Sequence, residues 1–220
     1  MAPEYFTNTL KLDKIKASEL HLHYYNKYGL ALRGLLLDYN PEKPIEERVD
    51  PGHFDDLCDG ALPLEDLISP NPSLRKLLQD VDRSKASVWA LTNAYENHAK
   101  RVLRILDVED LIDGLIFCDY KQANFACKPE AKFYHDALTK VQVSDPSKCY
   151  FVDDNWLNVK AARDLGWGRV AHFRETGLVH VEGGQAKEIG GSDRKDSEQK
   201  GLDVITDLEQ LRTIWAEVFK

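Results

Sequence analysis

Three short stretches carry side chains suited to handling a phosphoryl group. Thr92-Asn93 follows the apolar run Val88-Trp89-Ala90-Leu91. A hydroxyl and the backbone N–H groups of the next turn suit a phosphate oxygen. In Cys127-Lys128-Pro129 the proline biases the residue before it towards extended backbone, which can fix the Lys128 ammonium towards an anion. Phe151-Val152-Asp153-Asp154-Asn155 ends a third apolar run with two adjacent carboxylates, hard oxygen donors of the kind Mg²⁺ prefers. Singly, each stretch also has a plain structural reading. Thr-Asn and Asp-Asp pairs cap helices, and a lysine is usually a solvated surface residue.

The elements around them give these stretches a common setting. From Ser87 onward, short apolar runs at 88–91, 115–118, 149–152 and 169–173 alternate with helical patterns. One pattern holds Ala99, Val102, Leu103 and Leu106; another holds Phe133, Tyr134, Ala137 and Leu138; a third holds Val159 and Ala162 and stops at Gly166. Such alternation predicts βαβ units and a parallel sheet covered on both faces. In an open parallel sheet, ligands bind at the carboxyl ends of the strands, where Thr92 and Asp153 fall. Residues 8–82 read as mostly helical, interrupted by Pro41, Pro44 and Pro51. A helix over 73–78 starts from an Asn71-Pro72 cap. The Gly-rich, charged stretch 183–201 reads as a mobile surface loop. Asp203-Val204-Ile205 reads as a last edge strand, and Leu208, Leu211 and Trp215 place one apolar stripe on a final helix.

Bulk properties remove several function classes. The 220 residues are 43% hydrophobic and carry a net charge of -8. An acidic net charge argues against nucleic-acid binding, which usually shows a basic face. No apolar stretch approaches the ~18 residues that would span a membrane. Residues 1–5 show no basic-then-apolar leader. The four cysteines, Cys58, Cys118, Cys127 and Cys149, include no CxxC spacing. They read as reduced thiols of a cytoplasmic, or also nuclear, protein.

Strand-Thr-Asn, then Lys-Pro, then strand-Asp-Asp is the order of motifs two, three and four of the haloacid dehalogenase superfamily, which the chain resembles from about residue 5 onward. Within it, the segments HYYNKYGLALRGL (23–35), ALPLEDLI (61–68) and FVDDNWLNVKAA (151–162) are similar to fungal pyrimidine 5′-nucleotidases. The resemblance implies an α/β fold, a Rossmann-like parallel sheet of the haloacid dehalogenase type with a helical cap. Residues 1–70 would be the cap, truncated at its N-terminal end, and 71–220 the core. It implies a Mg²⁺-dependent phosphatase acting on a nucleoside monophosphate or another small phosphomonoester. Thr92 would hydrogen-bond the transferring phosphoryl group, Asn93 would support it and Lys128 would neutralise its charge. Asp153 and Asp154 would hold Mg²⁺, with Asn158 orienting them. Tyr28 and Arg33 would contact the nucleoside, although a salt-bridged Arg33 fits as well.

The same resemblance implies an Asp-x-Asp nucleophile motif at the end of a first core strand. Phe6-Thr7-Asn8-Thr9-Leu10 would put Tyr5 and Thr7 in its place. The segment Tyr5–Leu12 fits better as the end of the first cap helix, running without a gap into residues 19–29. The expectation is therefore that the nucleophile strand and its surroundings, on the order of 30–40 residues, are missing. Such a chain would bind Mg²⁺ weakly or not at all and would have little or no phosphatase activity. A non-catalytic nucleotide- or phosphate-binding regulator, or a sugar-phosphate phosphatase of the same superfamily, are the alternatives.

Overall fold

The computed structural model describes residues 2–174, 179–182, 185–188 and 202–220. The chain divides into two compact units: Met1–Leu78 with Ser87–Glu130, and Gln79–Ala86 with Ala131–Lys220.

The first unit opens with helices α1 (Ala2–Asn8) and α2 (Lys14–Tyr28). They are separate, which corrects the expectation of one run into residues 19–29. Lys11 takes a left-handed φ of 56°, and the Asp13 carboxylate starts a new helix by accepting from Ile15 N (3.1 Å) and Lys16 N (3.0 Å). Gly29 ends α2 in the left-handed region, φ 74°. Short α3 (Ala31–Gly34) passes into a π turn over Leu35–Tyr39. Around the prolines only two 3₁₀ turns form, Asn40–Glu42 and Ile45–Glu47. Pro51 opens α4 (Pro51–Leu57), and α5 (Leu64–Leu67) follows. The predicted cap of α6 (Pro72–Gln79) is present, with Asn71 Oδ1 accepting from Leu74 N at 2.9 Å.

Aromatic side chains close the helical core: Tyr5 meets Phe54 edge-on at 4.8 Å and Phe6 meets His21 at 5.7 Å. Phe6, Leu32 and Leu35 are wholly buried, each stabilising the unit by about 2 kcal/mol. The unit ends with β1 (Trp89–Leu91), α7 (Glu96–Ile105) and β2 (Gly114–Ile116); β1 and β2 pair in parallel.

The second unit contains α8 (Ala131–Lys140), β3 (Tyr150–Asp153), α9 (Trp156–Asp164) and β4 (Arg169–Phe173). Strands β5 (Val179–Glu182) and β6 (Gln185–Glu188) form an antiparallel hairpin. Residues 185–188 are thus strand, which corrects part of the predicted loop 183–201; its other residues lie outside the described ones. The last strand, β7 (Leu202–Ile205), completes a parallel sheet in the order β3-β4-β7. Tyr134, Phe151 and Trp167 pack edge-to-face at 5.5–5.9 Å in its core. The expected single final helix is instead α10 (Leu211–Ile214) between two 3₁₀ turns, because Trp215 leaves helical geometry at φ -123°, ψ 36°.

Both units follow the strand–helix alternation of a Rossmann-like α/β protein. Among the described residues β1 pairs only with β2, and β3 only with β4. Among the described residues the outer edges of β1 and β3 are therefore open.

Candidate functional site

The predicted site residues fall into two groups, one on each unit. On the first unit, β1 delivers Thr92 and Asn93 at its carboxyl end. Thr92 N donates to Ile116 O at 2.9 Å, which carries the strand pairing one residue further. The Thr92 hydroxyl accepts from Ala94 N at 3.0 Å and donates to nothing among the described residues. It remains able to donate to an anion.

Lys128 is 7% exposed. Its Nζ donates to the Leu91 carbonyl at 2.8 Å, so the ammonium sits at the strand end. A buried ammonium is costly unless anions or dipoles surround it. Asn93 fixes the loop: its Oδ1 accepts from Lys128 N at 2.7 Å and its Nδ2 donates to Lys128 O at 2.9 Å. The Asn93 amide thus supplies both hydrogen bonds that a neighbouring strand would give residue 128. A Cβ on Gly29 would lie 2.5 Å from Lys128 O, so only glycine allows the end of α2 to approach this closely.

On the second unit, β3 and the start of α9 deliver the carboxylates. Asp153 Oδ1 accepts from Asn155 N and Asn158 Nδ2, both at 2.9 Å. The Asp154 carboxylate is exposed and has no hydrogen bond among the described residues; its carbonyl accepts from His172 Nε2 at 3.0 Å. Asn158 is 6% exposed, and its Oδ1 is buried without a partner among the described residues. A buried carbonyl oxygen left unpaired costs about 1–3 kcal/mol.

This donor set is all oxygen, and Mg²⁺ is commonly held by one or two carboxylates together with water and substrate phosphate. Asp153 and Asp154 fit it in kind, as holders of a water-rich ion that would offset phosphate charge. In number they are few: no group of three or more His, Cys, Asp or Glu among the described residues could hold a metal.

The remaining candidates are engaged elsewhere. Tyr28 donates to Asp38 Oδ1 at 2.6 Å. Arg33 makes a two-pronged pair with Glu130, at 2.7 and 3.0 Å, and its guanidinium lies 5.7 Å from the Phe125 ring centre. That is the salt-bridged alternative for Arg33.

Glu130, Gly29, Tyr120 and His172 had no sequence signal beyond nearness to a motif. Tyr120 donates its hydroxyl to Asn93 O at 3.1 Å. One Asp-x-Asp triplet does occur, at Asp80-Val81-Asp82, but it follows helix α6. Asp80 pairs with Arg212 at 2.9 Å, and Asp82 accepts from the Ser84 amide and hydroxyl, so it reads as a turn.

Parallel βαβ units with a hydroxyl, a buried lysine and two carboxylates at strand and loop ends define a Rossmann-like α/β class. The haloacid dehalogenase-like hydrolase family matches residues 5–166, and the chain belongs to that family. It is 31% identical to Phosphate metabolism protein 8 of Saccharomyces cerevisiae over 98% of its own length and 65% of that protein's. A phosphorylated carbohydrates phosphatase of Thermotoga maritima is 28% identical over 54% of this chain and 55% of its own. The chain thus spans less than two thirds of these relatives. The crystal structure of a HAD phosphatase from Thermococcus onnurineus shares the fold at 19% identity, with a TM-score of 0.54 over 97% of this chain and 86% of that one. Among the described residues no helix is long and apolar enough to cross a membrane.

Proposed function

We propose that the chain carries the phosphate-binding and acidic parts of a phosphatase for nucleoside monophosphates, pyrimidine nucleotides first. The observation that carries this reading is Lys128, buried with its ammonium at the carbonyl end of β1 beside the available Thr92 hydroxyl. In this reading Thr92 and Lys128 bind phosphoryl oxygens, Asn93 keeps Lys128 in place, and Asp153 and Asp154 carry Mg²⁺ while Asn158 orients Asp153. None of the described strands ends in an Asp-x-Asp that could attack phosphorus. These 220 residues therefore bind the substrate without turning it over.

Calorimetry and a phosphate-release assay test this together. UMP binds saturably in Mg²⁺, Lys128→Met abolishes binding, and release stays at background. Turnover above about 1 s⁻¹ would overturn the inactivity, and absence of UMP binding would overturn the site. A phosphorylated carbohydrate is the second reading, favoured by the name of the Thermotoga maritima relative. A glucose 6-phosphate titration compares the two.

A further inference from the structure

Within the first unit, a cleft of about 1150 Å³ has Tyr95, Tyr120, Lys121 and Arg48 in its wall, ample for a nucleoside-sized ligand. Tyr95 stands at the N-cap of α7, three residues after Thr92. That is at most about 11 Å of extended chain. Its ring lies parallel to Tyr120, centres 5.3 Å apart and planes 17° apart. The Phe117 ring lies nearly perpendicular to it, centres 5.9 Å apart. Tyr120 is buried and packs in turn on Phe125 at 5.0 Å.

Tyr95 is thus the outer, partly exposed rung of a ring ladder anchored on buried Tyr120. The Lys121 ammonium, 5.9 Å from the Tyr95 ring centre, hydrogen-bonds the Tyr95 hydroxyl and belongs to an exposed side chain. Asn93 joins the ladder to the phosphate group: its carbonyl accepts from Tyr120 and its side chain holds Lys128.

We infer that Tyr95 is a specificity-determining residue, a platform on which the planar ring of the leaving group stacks, so that the site prefers nucleobase-bearing phosphomonoesters to ring-free ones. This rests on the proposed placement of phosphate at Thr92 and Lys128. Stacking of a base on an aromatic side chain strengthens binding on the order of tenfold or more. A ring-free sugar phosphate gains nothing from it.

The test titrates the 220-residue chain with UMP, ribose 5-phosphate, inorganic phosphate and uridine. UMP binds about tenfold tighter than ribose 5-phosphate. Tyr95→Ala erases that difference and leaves ribose 5-phosphate and phosphate unchanged, whereas Tyr95→Phe preserves it. Equal affinity for UMP and ribose 5-phosphate, or an unchanged ratio in Tyr95→Ala with a native melting curve, overturns the platform. If no phosphate compound binds, the phosphate reading fails, and uridine alone then decides. Uridine binding lost in Tyr95→Ala supports the platform; no uridine binding overturns it.

Discussion

The lysine group of the first unit and the carboxylate group of the second are built on opposite plans. Around Lys128 backbone and side chain are committed: Asn93 takes both polar groups of its peptide, Leu91 takes its ammonium, and Gly29 presses on its carbonyl. On the second unit the Asp153 carboxylate is engaged by Asn155 and Asn158, the exposed Asp154 carboxylate engages nothing described, and the buried Asn158 Oδ1 has no partner among the described residues. The first arrangement holds its geometry before any ligand arrives. The second leaves the exposed Asp154 carboxylate open to solvent.

The largest effect should follow from breaking the tight side. Asn93→Ala strands the Lys128 N–H and carbonyl and should cost about 3 kcal/mol in a urea titration. A loss below about 0.5 kcal/mol would show that water replaces the clamp. Gly29→Ala should cost about 2 kcal/mol, from its positive φ and from the collision with Lys128 O.

A smaller, pH-dependent loss belongs to Asp55, in the wall of the cleft. Burial, then the charges of Asp59 and Asp56, pushes its carboxyl up from 3.8 to about 6, against the opposing pull of His98. The folded chain then holds more protons than the unfolded chain between pH ~4 and ~6, so stability falls as pH rises through that window. Because Asp55 is partly exposed, the fall is about 1 kcal/mol rather than the full shift. Asp55→Asn should flatten that slope in melts at pH 4.5 and 7.

The smallest effects belong to the loose side. Asp154→Ala should change stability by less than about 0.5 kcal/mol. Mg²⁺ at about 10 mM should stabilise the chain by under about 1 kcal/mol, and the same substitution should remove that gain. A Mg²⁺ effect of several kcal/mol would mean that the carboxylate group is as preformed as the lysine group.

Local patterns carried most of the fold. Strand 169–173 and the cap at Asn71-Pro72 follow from short runs whose signal lies within a few residues, and the structure places both there. The break at residues 9–13 was written in Asp13, an acceptor one residue before α2, but an apolar count across Leu10 and Leu12 hid it. Residues 185–188, Gln-Ala-Lys-Glu, have little strand propensity, and pairing with β5 overrides it.

The candidate site divides in the same way. Thr92, Lys128, Asp153 and Asp154 stand at strand and loop ends, where motif order pointed. What fixes them was not legible: Asn93 reaches Lys128 across 35 residues and Arg33 reaches Glu130 across 97. Periodicity says nothing at that range.

The Asn93 amide has one more consequence. Because a side chain already pairs both backbone groups of residue 128, whatever comes to lie along the open edge of β1 neither has to recognise that loop nor can easily disturb it. The lysine's aim is insulated from the sheet's completion. A change at that edge would therefore leave the peptide groups of residue 128 paired and the lysine where it is.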